Sequence, residues 1–436
     1  MDMPLNAFVR TNMLPQVAPP SAAAGPVKWV RENLFSGPLN TFLTVIGLLI
    51  VYWAVSASLP WWLNSVWNAN SLGECRDIVT ARAGEGATGA CWAMLRERWH
   101  QFMFGFYPRD LYWRPVLAFA LLFVALAPIL FAGAPRKMIW FTIFYPFVAF
   151  FLLWGGSIWS PIVVIIGFVL IGVIYTALNG RLGVPMAAGI GVLAAVVFWL
   201  VLDAPLAKAL QSMIPLSIRK VDSDEFGGFL LAITIGVTAI SMSLPIGILL
   251  ALGRQSDMLI VKGLSVGFIE FIRGVPLITL LFTASLLLQY FLPPNTTFDL
   301  ILRVIILVTF FAAAYIAEVI RGGLAALPRG QYEAADALGL DYWQAQRHII
   351  LPQALKISIP GIVSTFIGLF KDTTLVSFVG LADPLRGITT IVRADVNWKG
   401  IYWEPYIFVG AIFFILCFGM SRYSMYLERK LQTDHR

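Results

Sequence analysis

Charge is what this sequence has least of. Asp, Glu, Lys and Arg make up 13% of its 436 residues, about half the share in a soluble domain, which excludes an ordinary water-soluble globule. Histidine and cysteine are also scarce, three of each, and His100, His348 and His435 are too scattered to form a Cys/His metal pattern. No G-x-x-x-x-G-K-[ST] occurs anywhere, so the chain has no P-loop of its own for ATP. The short alternating runs of a membrane β-barrel are missing. No internal repeat is visible, which weighs against a secondary transporter built from two repeated halves and driven by an ion gradient.

What the chain has instead is apolar length. It is 59% hydrophobic, with a mean hydropathy of +0.79, and its periodicity is helical. The reading is an all-α integral membrane protein with about ten spans, near 39–60, 115–134, 138–157, 161–179, 184–202, 226–252, 263–292, 300–325, 354–378 and 405–425. The formal charge of +7 points to cytoplasmic loops rather than to nucleic acid. Lys28, Arg31, Arg136, Lys137, Arg181, Arg254, Lys262, Arg329, Arg347, Arg422, Arg429 and Lys430 fall on one side if both termini are cytoplasmic.

The segment 1–38 reads as a disordered cytoplasmic N-terminus, rich in Pro and Ala to residue 27, and not as a signal peptide. A five-span extension follows over 39–202, with one large outer loop at 61–114. In that loop Trp92, Leu95, Trp99 and Phe102 recur at helical spacing. They predict an amphipathic helix lying on the membrane surface in preference to a docking face for an external partner. Cys75 and Cys91 share the loop and are expected to pair in an oxidising compartment, while Cys417 lies in an apolar run. Asn295-Thr296-Thr297 is a glycosylation sequon that marks only an outer loop. Gly189-x-Gly191-x-x-Ala194 imitates a dinucleotide fingerprint, but small-residue helix packing within a span explains it better.

The stretch 203–225 reads as a polar outer linker, and beyond it lies nearly every charge within the membrane. Because charge in hydrocarbon is costly and tends to be functional, 226–430 is the working half and the extension a scaffold. Glu270 and Arg273 sit one turn apart. They suit an intrahelical ion pair, or alternatively a gate hinged at Pro276. Glu318 and Arg321 repeat that spacing, with Gly322 and Gly323 free to bend or pack closely. Lys371 and Asp372 need partners at a subunit interface or along a substrate path. Arg303 is expected to snorkel to the interface, with contact to a substrate carboxylate as the alternative.

The polar loop 331–352 is the most informative stretch. Alanines at 334, 335 and 337 favour a helix, and Gly339 ends it. Asp341 and Gln344 form a capping box for a second helix running to about Ile350, which Pro352 limits. Glu333-Ala334-Ala335, Gly339, Ile349, Leu351 and Pro352 match, without departure, the E-A-A, three residues, G, nine residues, I-x-L-P signature of bacterial ABC importer permeases. Glu270-Phe-Ile-Arg273-Gly-Val-Pro276-Leu, Tyr315-Ile-Ala-Glu318-Val-Ile-Arg321-Gly-Gly and Lys371-Asp372-Thr-Thr-Leu resemble stretches of the polar-amino-acid permeases, with Val275 and Thr374 departing from the pattern.

The resemblance covers roughly 222–430, and the extension resembles that of the larger permease subunit of general L-amino-acid or glutamate/glutamine/aspartate/asparagine uptake systems. It implies a five-helix type I importer core and uptake of polar or acidic L-amino acids by alternating access. It implies no cofactor on this chain and no enzyme activity of its own. Two copies of a separate P-loop ATPase, with ATP and Mg, would grip the 333–352 loop. It further implies a shorter second permease as heterodimer partner, a periplasmic binding protein that delivers the amino acid, and residence in the bacterial inner membrane.

Overall fold

The structure is a computed structural model that describes residues 25–131, 133–287, 290 and 299–431. The chain divides by compactness into two units, Met1–Ala93 and Met94–Arg436. The stretch 1–24, the sequon at 295–297 and His435 lie outside the described residues.

In the first unit, Pro26–Asn33 (α1) and Pro38–Leu63 (α2) each open with proline in the first turn, where its missing N–H costs nothing. The helix at 26–33 corrects the expectation of disorder up to residue 38. The 26 residues of α2 span about 39 Å at 1.5 Å each, enough to cross hydrocarbon. None of them is buried within the chain. Leu72–Ala83 (α3) is capped by the Ser71 side chain, which accepts from the Glu74 N–H at 3.1 Å. Cys75 on α3 is joined to Cys91 with their Cα atoms 6.0 Å apart. Trp92 beside it packs among Trp61, Trp62 and Trp67, with ring centroids 5.5–5.9 Å away.

The helix Ala93–Phe104 (α4) enters the second unit from Met94 on and is followed by Trp113–Leu130 (α5), Ile139–Trp154 (α6), Trp159–Leu182 (α7), Val184–Val201 (α8) and Asp203–Met213 (α9). Gly155, at φ +69°, turns the chain out of α6, and Gly156–Ser157 (β1) pairs antiparallel with Ser217–Ile218 (β2). The stretch 203–225 is therefore not a bare linker. It carries α9, inclined 58° to α8, and β2, and Trp159 donates its indole N–H to the Ile214 carbonyl at 2.9 Å. Trp199 lies over Gly167, and Gly191 faces Ile171, so these two glycines serve helix packing, whereas Gly189 faces open space.

The core helices are Gly228–Gln255 (α10), Leu259–Gly274 (α11), Leu277–Phe282 (α12), Leu300–Ala325 (α13), Leu351–Asp372 (α16) and Trp403–Leu431 (α18), with Arg329–Ala337 (α14) and Tyr342–Ala345 (α15) before α16 and Pro384–Ala394 (α17) before α18. Over half of α13's most apolar stretch, 56%, is buried, against 39% for α10, which makes α13 the central post. One sequence expectation fails here. The span at 263–292 is not continuous but breaks at Val275–Pro276, with a bend of 102° between 259–274 and 277–287. Proline removes a donor and clashes with the preceding turn, and here it caps α12.

Counting each bent pair as one span, the described residues hold up to 10 spans, eight of them single helices. Within the second unit, the part of the extension from Phe104 onward packs with the core. Phe104, Tyr107, Leu111, Ala118, Leu152 and Leu153 share one buried cluster with Phe226, Leu230, Leu281, Ile301, Val308 and Leu369. Tyr107 donates to the Leu153 carbonyl at 2.8 Å, and Trp154 stacks on Phe226 at 4.5 Å.

Candidate functional site

The loop between α13 and α16 is built as the sequence implies, with one exception. α14 ends where Gly339 adopts φ +68° and its N–H reaches the Asp336 carbonyl at 2.9 Å. The capping box is present, with Asp341 accepting from the Gln344 N–H at 2.9 Å and Gln344 accepting from the Asp341 N–H at 3.1 Å. The exception is Pro352, which does not end the second helix. A wide turn over Gln346–Ile350, closed by the Leu351 N–H on the Gln346 carbonyl, runs into α16 with Pro352 in its first turn. A π-type turn displaces the carbonyl that the proline ring would otherwise strike.

The seven loop residues divide by exposure. Glu333, Ala334, Gly339 and Pro352 face outward, and Ala335 is buried. Ile349 and Leu351 pack on a cluster of Ile320, Leu324, Leu327, Ile350 and Ala354. Gln353 ties α16 back to Gln331 at 2.9 Å. At the tip, Leu338, Tyr342 and Trp343 stand 72%, 52% and 62% exposed. Three large apolar side chains on a polar loop make a surface suited to being covered by another protein. Burial pushes the Tyr332 phenol above its usual range.

Directly behind this loop lies a charge cluster that the sequence only half reveals. Glu318 accepts from Arg321 Nε at 2.8 Å, as the spacing implies. Glu270 does not pair with Arg273. It takes Arg254 at 2.9 Å, and Arg254 also reaches Glu318 at 3.3 Å. Arg273 turns to Glu318 at 3.6 Å and lies over the Tyr315 ring at 5.6 Å. The correction has a simple cause. Glu318 is the less exposed carboxylate, 22% against 54% for Glu270, and a less hydrated anion draws more cations. Three guanidinium groups thus converge on one carboxylate from α10, α11 and α13. Arg254 and Tyr315 were missed as members because their partners lie on other helices, 16 and 64 positions from Arg254, beyond the reach of helical spacing.

The remaining candidates lie elsewhere. Arg303 does not snorkel outward. It is buried and donates to the Ser285 carbonyl at 3.0 Å. Lys371 is exposed and Asp372 half-buried, and among the described residues neither makes a side-chain hydrogen bond or ion pair. Lys371 is 17 residues along α16 from Ala354, about 25 Å by helical rise. The candidates therefore form two groups, Glu270, Arg273, Glu318 and Arg321 near the loop, and Arg303, Lys371 and Asp372 at the opposite membrane face. Pro276 marks the break between α11 and α12. Gly323 packs against Ser358 and Ala354, whereas Gly322 faces open space.

A membrane core gathered round one central helix, with an exposed helical loop at one face and a charge cluster behind it, defines a multi-pass permease of the ABC importer class. Residues 243–433 match the family model described as "Binding-protein-dependent transport system inner membrane component". The chain belongs to that family. It is 71% identical to the glutamate/glutamine/aspartate/asparagine transport system permease protein BztC of Rhodobacter capsulatus, over 99% of both chains. It is 38% identical to the inner membrane amino-acid ABC transporter permease protein YhdY of Escherichia coli K12, over 93% of both. The glutamate/aspartate import permease protein GltK of Escherichia coli O6:H1 matches at 33%, over 47% of this chain and 91% of its own.

Proposed function

We propose that this chain is the larger permease subunit of an importer for polar and acidic L-amino acids in the bacterial inner membrane, with both termini cytoplasmic. The observation that carries the reading is the loop 333–352, exposed at its tip and packed at its base against α13 and α16. Two copies of a cytoplasmic P-loop ATPase, holding ATP and Mg on their own residues, grip Glu333, Ala334 and the exposed tip. Closure of the ATPase pair is delivered through Ile349, Leu351 and Ala354 to α13, where the Glu318 cluster joins three core helices. A shorter second permease completes the pore, and a periplasmic binding protein supplies the amino acid at the other face. High identity to a permease named for glutamate, glutamine, aspartate and asparagine supports that substrate class.

Co-expression with the neighbouring transport subunits, followed by purification in lipid, tests the reading. An ATPase should co-purify, and its hydrolysis should rise with binding protein and glutamate and drive uptake. Uptake that follows an ion gradient with no ATPase present would return the chain to the secondary-transporter class.

A further inference from the structure

The helix α4 belongs to none of the family's matched residues, which begin at 243, yet it is seated in the core. It does not lie on the membrane surface as its apolar spacing suggests. Phe102 is fully buried, with its ring 5.7 Å from Phe408 on α18. Arg98 pairs with Asp395, whose side chain is only 10% exposed. Glu97 accepts the indole N–H of Trp398 at 2.8 Å, and Trp398 is fully buried. Asp395 and Trp398 sit in the turn that follows α17, on the face opposite the 331–352 loop. Asp395 works twice there, since its other oxygen accepts from the N–H groups of Asn397 and Trp398 at 2.9 and 3.1 Å.

The backbone reinforces this seat. Gly105 bridges to Phe226, and Gly227 bridges to Ala382, so the segments just after α4, just before α10 and just before α17, which opens the hairpin 380–402, lie edge to edge. The approach is too close for side chains. A Cβ at Gly227 would stand 2.8 Å from the Ala382 carbonyl, and one at Gly228, where φ is +58°, would meet the Phe102 and Gln101 carbonyls. Glycine is required at each of these positions.

From this geometry we infer that Glu97, Arg98 and Phe102 are positioning residues for transport, through which α4 braces the hairpin 380–402 at the outer mouth of the permease. The inference rests on the alternating-access reading above, and gives the N-terminal extension a role within it. With the brace in place, the α17 hairpin and the outer ends of α10 and α18 move as one piece. Without it, the outer mouth loosens, and ATP hydrolysis is no longer matched to uptake.

The test is a double-mutant cycle in the complete complex in lipid. Arg98→Ala, Asp395→Asn and the double variant are compared by amide hydrogen exchange across 395–401 and by amino acid taken up per ATP hydrolysed. Asn at 395 keeps the acceptor for the turn but not the charge. Loss of a charge-assisted contact is expected to speed exchange there about tenfold and to lower uptake per ATP. The double variant should be no worse than the worse single one, as coupled partners require. Arg98→Lys, which keeps the charge with little risk to folding, should retain both readouts. Unchanged exchange in Arg98→Ala would overturn the brace. Faster exchange with uptake per ATP unaltered would also overturn it, since the contact would then serve stability alone. Absence of ATP-driven uptake in the unaltered complex would sink the functional reading instead, and the exchange data would still report whether the contact holds the hairpin.

Discussion

Gly323 on α13 meets Ser358 on α16 with no room for a side-chain carbon between them. The Ser358 hydroxyl also donates to the Val319 carbonyl at 3.3 Å, and a Cβ on Gly361 would stand 2.6 Å from a Val319 methyl carbon. The two helices that carry the loop are therefore locked together by small residues on both sides. A Cβ on Gly322, one position earlier, would meet nothing within 4 Å. The adjacent glycines should respond in opposite directions. Gly323→Ala is expected to destabilise by about 1–3 kcal/mol, because α13 and α16 must part. Gly322→Ala should stabilise by up to about 1 kcal/mol through helix propensity. Thermal unfolding in detergent reads both.

The two carboxylates of the charge cluster should be unequal. Glu318→Gln leaves Arg273 and Arg321 without a carboxylate and Arg254 with Glu270 alone, and is expected to cost about 1.5–3 kcal/mol before solvent screening, which lowers it. Glu270→Gln removes a single contact to Arg254 on a more exposed carboxylate, and should cost under about 1 kcal/mol. Equal losses in the two variants would show that Glu318 is not the hub.

At Gly339 the strain lies in the backbone alone, since φ is +68° and nothing occupies the space where a side chain would go. Gly339→Val forces a β-branched residue into the left-handed region at about 1–2 kcal/mol. It should weaken coupling of ATP hydrolysis to uptake. Gly339→Asn, a residue at home in that region, should retain most of the coupling. If both variants behave alike, the side chain at 339 matters rather than the turn.

Asp383 caps α17 from a fully buried position, accepting from the Arg386 and Leu385 N–H groups at 2.9 and 3.2 Å. Burial raises its carboxyl to about 6, against the pull of those two N–H donors and of Arg386. In the unfolded chain an Asp loses its proton near 3.9, so the folded hairpin binds more protons between about 4 and 6. This contribution to stability is fully present below pH 4 and lost as pH rises through about 6. Its size is up to about 2–3 kcal/mol. Asp383→Asn preserves the cap and should erase that part of the pH dependence, read as hydrogen exchange across α17 at pH 5 and pH 7.5.

Thiol counting tests the outer loop. With Cys75 and Cys91 joined, the unfolded but unreduced chain should label at Cys417 alone, and the reduced chain at three positions. A bridge closing a loop of this size contributes about 3 kcal/mol in the chain-entropy model. Reductant should therefore lower the unfolding temperature.

Local rules carried the sequence reading far. The Gly339 turn and the Asp341–Gln344 box were legible because a cap depends on residues three or four positions apart. The spans were legible because apolar length is a local property. Pro352 misled because a single wide turn, which no propensity signals, absorbs it. Val275–Pro276 interrupted a run whose hydropathy was continuous, and hydropathy does not register a missing N–H. The partners of Glu270 and Arg273 depend on which helices lie together. So does the seat of α4, whose apolar stripe reads the same whether it meets lipid or protein. Glu97 and Trp398 are separated by 301 positions, and no spacing rule reaches that far.

The wide turn at Gln346–Ile350 also matters mechanically. Beyond it, α16 runs unbroken for 22 residues, a rod about 33 Å long that reaches from the loop's face to the hairpin's. A rod of that kind cannot shorten to absorb a push, so force applied at the Trp343 tip must emerge as tilt. The turn is one place in that line where the rod can be steered, and Pro360 inside α16 is a second. A single extra residue in one turn of backbone makes the first of these joints, in a stretch where the side chains give no hint of it.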